Sequence, residues 1–182
     1  MTDTITIDKL ANEDIEECIN LVNSAYRGES SKKGWTTEAD LLDGIRTDQK
    51  SLRAQLDTPG AIMLIARDGH NRMAGCVYLL QQGNQLYLGM LTVAPDIQAR
   101  GIGKQLLLAA EKYSVEVNCT AVIMTVIDIR YELIEWYKRK GYRETGQTKP
   151  FPSHPSFGIP KQPLRFVVLE KQLPDILVNS AL

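Results

Sequence analysis

The chain has little of what staples or metallates a small protein: three cysteines and two histidines in 182 residues. Cys18, Cys76 and Cys119 stand far apart inside apolar stretches, and no C-x-x-C occurs. That excludes a disulfide framework and the common zinc spacings, and leaves the thiols as small core residues in a reducing compartment. No charge of one sign dominates, with 21 Lys and Arg against 22 Asp and Glu and a net charge of -1. A dedicated nucleic-acid surface needs a basic face, so no nucleic-acid partner is expected. No apolar run approaches the ~20 residues of a membrane span, and Met1-Thr2-Asp3-Thr4-Ile5 lacks the basic-then-apolar order of a secretory signal. The expectation is a cytoplasmic protein with no membrane partner. Repeats and low-complexity segments are missing too. What is present, 43% hydrophobic residues, is enough for a single domain over 1–182 with its core at about 5–172.

Periodicity gives the elements. Ile5, Ile7 and Lys9 alternate with polar residues as a short strand, and Ile15, Cys18, Ile19, Val22 and Tyr26 recur at helical spacing behind Asn12 as N-cap. Residues 27–35 read as a loop. Thr37 and Asp40 resemble a weakened capping box ahead of Leu41, Leu42 and Ile45, and Thr47 caps another short helix ending near Leu56. After the stop at Pro59-Gly60, strands at 61–67, 73–81 and 86–93, separated by turns at 68–71 and 82–84, predict an antiparallel meander. A helix from Gly101 to about Val117 and a strand at 121–127 follow, which implies a parallel crossover. A helix over 131–140 ends at Gly141. Strands at 142–149 and 164–172 flank an irregular loop containing Pro150, Pro152, Pro155, Pro160 and Pro163. Pattern alone gives one α/β domain.

Between the strand ending at Val93 and the next helix lies Gln98-Ala99-Arg100-Gly101-Ile102-Gly103. A glycine-rich turn feeding a helix N-terminus is an anion site, because the first-turn N–H groups have no intrahelical partner and the helix dipole adds about half a positive charge. The expected ligand is a pyrophosphate. A dinucleotide fingerprint fails, since its third glycine would be Leu106 and seven residues separate Val93 from Gly101. A Walker loop fails as well: Gly103-Lys104 is followed by Gln105, and the position five before Gly103 is Gln98.

The run Leu91-x-Val93-x-Pro95-x-x-Gln98-x-x-Gly101-x-Gly103-x-x-Leu106-Leu107 closely resembles motif A of the GNAT acetyltransferase superfamily. Downstream, the strand 121–127 and the helix carrying Trp136-Tyr137-x-x-x-Gly141-Tyr142 resemble its motif B. The resemblance covers about residues 5–172. It implies a mixed, mostly antiparallel twisted sheet with one central parallel β-α-β crossover and helices on both faces. It also implies acetyl-CoA as cosubstrate and an N-acetyltransferase acting directly on a primary amine of a small molecule or peptide, as a monomer or homodimer. By the same likeness, backbone N–H groups from Ala99 through Arg100, Gly101, Ile102 and Gly103 to Lys104 would hold the pyrophosphate, with the side chains of Gln98 and Arg100 helping. The stretch Leu91, Thr92 and Val93 would pair with pantetheine, and Tyr137 would protonate the departing thiolate. One position departs: where many members carry Asn seven residues before that tyrosine, this chain has Arg130, which could bind a CoA phosphate, contact an acidic substrate group, or sit in solvent. No carboxylate lies between Leu86 and Val93, so the general base is illegible, with Glu29 and His154 as candidates. Glu29 and Trp35 in the first loop, and His154 and Phe157 in the proline-rich loop, are the candidate acceptor contacts. An alternative from a different class is a non-catalytic acyl-CoA-binding sensor with the same fold.

Overall fold

The computed structural model describes residues 4–98 and 100–174. In chain order its elements are β1 (Thr6–Lys9), α1 (Ile15–Tyr26), α2 (Gly28–Ser31), β2 (Leu42–Asp43), α3 (Gln49–Leu56), β3 (Ala61–Arg67), β4 (Met73–Gln82), β5 (Gln85–Val93), α4 (Ile102–Glu116), β6 (Ala121–Ile127), α5 (Tyr131–Arg139), β7 (Arg143–Pro150), β8 (Ile159–Pro160) and β9 (Arg165–Gln172). Seven strands make one sheet in the order β1-β3-β4-β5-β6-β9-β7. Every neighbouring pair is antiparallel except β5 and β6, the parallel pair joined by α4. This is the mixed sheet with a central crossover that the pattern and the resemblance imply.

Helices cover both faces. On one face, the Cys18 Sγ of α1 meets the Met63 Sδ of β3 at 3.3 Å, and the Tyr78 hydroxyl of β4 donates to the Gln55 carbonyl of α3. On the other, Ile102 and Leu106 of α4 press against Gly75, where an added Cβ would come within 2.9 Å of Leu106. The α4 stripe of Ile102, Leu106, Leu107 and Ala110 is buried at helical spacing, and β5 alternates half-buried and buried residues along its length. Fully buried side chains such as Leu86, Leu106, Leu107 and Leu169 each contribute about 1.5–3 kcal/mol by leaving water.

Several local expectations fail for identifiable reasons. Asn12 opens a 3-10 turn and caps nothing with its side chain; Asp14 stands at the start of α1. Residues 27–35 are not all loop, since Gly28–Ser31 form one helical turn. The segment after Thr37 forms no helix: Thr37 Oγ1 instead bonds the Ser31 hydroxyl and accepts from the Ala39 N–H, and Leu42–Asp43 pair with Ile159–Pro160. The cap of α3 is Asp48, whose carboxylate accepts from the Ser51 N–H at 2.7 Å, with Thr47 buried beside it. The proline-rich loop carries a 3-10 turn at Pro155–Phe157 and strand β8. No helix among the described residues is long and apolar enough to cross a membrane, and those residues include no cluster of three or more His, Cys, Asp or Glu side chains that could hold a metal.

Candidate active site

Gly101 caps α4 with φ +80°, a backbone conformation glycine adopts without strain. The first intrahelical bond runs from the Gln105 N–H to the Gly101 carbonyl at 3.0 Å. The N–H groups of Ile102, Gly103 and Lys104 therefore have no helical partner. A cavity of about 220 Å³ opens there, lined by Gly101, Ile102, Gly103, Lys104 and, across it, Lys140. The Ile102 side chain itself is in the core, so its contribution to this cavity is backbone. Arg100 is exposed beside it, and Ala99 lies outside the described residues.

Gln98 does something the pattern did not foresee. Its Oε1 accepts from the Trp35 N–H at 2.9 Å, while its Nε2 donates to Thr36 Oγ1 at 2.8 Å and to the Val93 carbonyl at 3.1 Å. Its amide is thus spent on fastening the 34–36 loop to the end of β5, and the expected reach toward a pyrophosphate is not made. Gly34 makes the approach possible, since a Cβ there would sit 2.5 Å from Gln98 Oε1.

From this turn an open track runs inward. The β5–β6 pairing stops after Tyr87–Ile123, so the two strands separate toward their C-terminal ends. Opposite β4, Met90 and Leu91 face Val77 alone, a bulge with Met90 at φ +48°. The Ala94 N–H bonds the Ala74 carbonyl of β4. Alternation along the strand therefore aims the backbone of Val93 toward the gap and that of Thr92 toward β4. Thr92 offers the track nothing else, because its buried hydroxyl bonds the Met90 carbonyl at 2.9 Å; that corrects its place among the expected cofactor contacts. The carbonyl of Leu91 accepts from the Tyr26 hydroxyl.

A narrow cavity lined by Leu91, Val93, Gly103, Trp35, Trp136 and Tyr137 joins the glycine turn to a larger one of about 260 Å³. Tyr137 borders both, and its hydroxyl makes no hydrogen bond to any described residue. Burial pushes the Tyr137 phenol well above its ordinary value, with the neighbouring Tyr26 adding to the shift and Arg130 opposing it. The Tyr26 phenol is pushed up to about 12, chiefly by burial and then by Glu38.

The larger cavity holds residues the sequence reading passed over. Glu38 Oε2 accepts from Arg27 Nη2 at 3.1 Å, and Glu38 Oε1 faces Arg130 Nη1 at 3.5 Å. Arg27, buried, also donates to the carbonyls of Ile45 and Phe157 and so ties three separate segments into one wall. Its guanidinium is held below the usual range by burial, which Glu38 partly offsets. Arg46 lines the same cavity, its guanidinium 5.8 Å from the Tyr26 ring centre. Arg130 therefore sits at this inner end, away from the glycine turn, and with its side chain 9% exposed it is not a solvated residue.

The remaining candidates divide. Phe157 lines the large cavity, and Trp35 lines the narrow one with its ring 6.2 Å from that of Trp136. Glu29 is exposed and paired with Lys32 at 2.9 Å, outside every cavity described above. His154 is exposed and spent on Ser156. Neither candidate base reaches the track. Glu38, Arg46 and Lys140 had no local signal, because charged residues in irregular segments or at a helix end look alike whether they face a cavity or solvent.

The ribosomal-protein-S18-alanine N-acetyltransferase of Escherichia coli has the same fold: TM-score 0.69 at 13% identity, covering 93% of this chain and 94% of that one. A GNAT-family acetyltransferase from Staphylococcus aureus Mu50 superposes with TM-score 0.66 at 21% identity, over 94% of this chain and all of that one. By sequence, a mycothiol acetyltransferase of Clavibacter sepedonicus is 27% identical over 140 residues, 77% of this chain. The chain spans 43% of the length of that relative. The model of the acetyltransferase (GNAT) family matches residues 15–142, which takes in the glycine turn, the strand separation, Arg130 and Tyr137, and the chain belongs to that family.

Proposed function

We propose that this chain transfers an acetyl group from acetyl-CoA to a primary amine, with Tyr137 as the general acid. The observation that carries the reading is the continuous track from the N–H groups of Ile102, Gly103 and Lys104, without helical partners, to the Tyr137 hydroxyl, unbonded to any described residue. Acetyl-CoA supplies the thioester and a pyrophosphate. The backbone of Ile102, Gly103 and Lys104 binds the anion, with Lys104 and Lys140 supplying charge. The gap-facing backbone of Leu91 and Val93 orients the pantetheine arm. In the transfer, the amine nitrogen bonds the thioester carbon, the C–S bond breaks, and the sulfur takes a proton from Tyr137 while the nitrogen gives one up to water. A phenol is protonated at neutral pH, the form a proton donor needs; burial raises Tyr137 further and makes it a weaker acid, so it donates only as strongly basic thiolate character develops on the departing sulfur. Glu38, committed to two guanidinium groups, is assigned to positioning.

A thermal melt with acetyl-CoA, with NADH and ATP as controls, tests the cofactor half. Acetyl-CoA at 100 times its Kd stabilises the folded state by about 2.7 kcal/mol, a shift of roughly 5–10 °C for a chain of this size. Tyr137→Phe tests the chemistry: kcat falls by about 10²-fold, while acetyl-CoA affinity stays within about twofold. An unchanged kcat would return Tyr137 to a packing role, and a melt indifferent to acetyl-CoA would overturn the proposal.

A further inference from the structure

The inner cavity carries more positive charge than its own carboxylate balances. Among the described residues lining it, Glu38 is the one carboxylate, against Arg46 and Arg130, with Arg27 directly behind. Arg27 takes one Glu38 oxygen at 3.1 Å and donates to the Ile45 and Phe157 carbonyls, while its buried Nε finds no partner. Arg130 keeps a single 3.5 Å contact to the second oxygen, although its side chain is only 9% exposed. A guanidinium has five N–H donors, so most of the Arg130 fork is left for the cavity. Arg46 forms no ion pair with any described carboxylate and lies against the Tyr26 ring.

A buried guanidinium without a full partner costs stability, and the chain as a whole carries a net charge of -1. The excess is therefore local to this cavity. The cosubstrate does not account for it: its phosphates belong at the glycine turn, and the thioester end that approaches Tyr137 is uncharged. We propose that Arg46 and Arg130 recognise a carboxylate on the acetyl acceptor, and that this acceptor is a free α-amino acid. The planar fork of arginine matches a carboxylate with two parallel hydrogen bonds.

The rest of the cavity narrows the class. Met124, Leu133, Phe157 and Phe166 supply an apolar wall beside the arginines, suited to an apolar or aromatic side chain. A volume of about 260 Å³ falls just below the range of pockets for drug-sized ligands, which suits one amino acid better than a folded protein surface. Carboxylate on the arginines and side chain on the apolar wall would leave the amine to face Tyr137.

This inference rests on the acetyltransferase reading, and the test separates the two. Release of free CoA thiol is followed for the common α-amino acids and, matched one to one, their α-amides, with acetyl-CoA binding measured by calorimetry on the same preparations. The amides carry the less basic and so more often neutral amine, so a preference for the acids cannot come from nucleophile reactivity. At least one apolar amino acid is expected to exceed its amide tenfold or more in kcat/KM. Arg46→Gln, at a half-exposed position without an ion pair, should fold normally, lower kcat/KM for the acid about tenfold and leave the amide within threefold. Arg130→Lys, which keeps the charge and loses the fork, should fall between wild type and Arg46→Gln. Equal rates for acids and amides, preference for the amides, no turnover of any acid by protein that binds acetyl-CoA, or undiminished discrimination in Arg46→Gln would each overturn the carboxylate assignment and leave the cofactor reading standing. Failure to bind acetyl-CoA would overturn the acetyltransferase reading and this inference with it.

Discussion

The two ends of the track are built on opposite principles. At the glycine turn the groups offered are backbone: N–H donors at the start of α4 and amides of β5 freed by the strand separation. At the inner cavity the groups are side chains from segments with little regular structure, held by Arg27 through Glu38, Ile45 and Phe157. Backbone groups on a helix and strand are fixed by secondary structure and tolerate sequence change wherever no bulk intrudes. Side-chain walls depend on a few long-range contacts, and a different choice of residues there recognises a different acceptor. A shared fold can therefore keep one cosubstrate and change the partner.

Bulk should break the backbone end completely. Gly103 has room for a small side chain, since a Cβ would meet Val93 at 3.6 Å and Trp136 at 3.8 Å, both ordinary contacts. Gly103→Ala is thus expected to fold and bind. Gly103→Glu adds a carboxylate against the anion site, and acetyl-CoA binding by calorimetry should fall beyond detection while the melting temperature of the unliganded protein changes little. Tight binding by that variant would mean the anion is held elsewhere.

A single methyl should break the side-chain end. Gly158 sits at φ +99°, and a Cβ there would lie 2.6 Å from Arg27 Nη1. Gly158→Ala combines a strained backbone, costing about 1–3 kcal/mol, with displacement of the guanidinium that joins the wall. The melting temperature should drop by roughly 2–10 °C and KM for the amine should rise several-fold. Acetyl-CoA affinity should stay within twofold. Equal losses at both ends would show that the two regions are not independent.

How far the sequence could be read follows the same division. The boundaries of β3, β6 and α4 fall within a residue or so of those expected, because their signals are local: alternation, helical spacing, a glycine at the cap. The Gly101–Lys104 turn was legible for that reason. The inner wall was not. Thr37 and Asp40 carry the letters of a capping box, yet pairing of Leu42–Asp43 with the distant Ile159–Pro160 overrides it. Glu38 gives no periodic signal, and its importance comes from Arg27 and Arg130, one in the first loop and one at the start of α5. Only the tertiary contacts reveal that Arg130 lines the inner cavity beside Glu38.

Glu29 gives the smallest expected effect and the sharpest control. By position in the chain it looks as good as Glu38, being a carboxylate in the loop after α1. Its side chain is 88% exposed and held by Lys32, and that contact pulls its carboxyl below the usual range, which makes it a poorer proton acceptor as well as a remote one. Glu29→Gln should leave kcat/KM within about twofold across pH 6–9. A loss of tenfold or more would require the α2 turn to swing inward when substrate binds. The inner wall would then be a moving part, and the contrast between a rigid backbone end and a side-chain end would become one between a fixed site and a closing one.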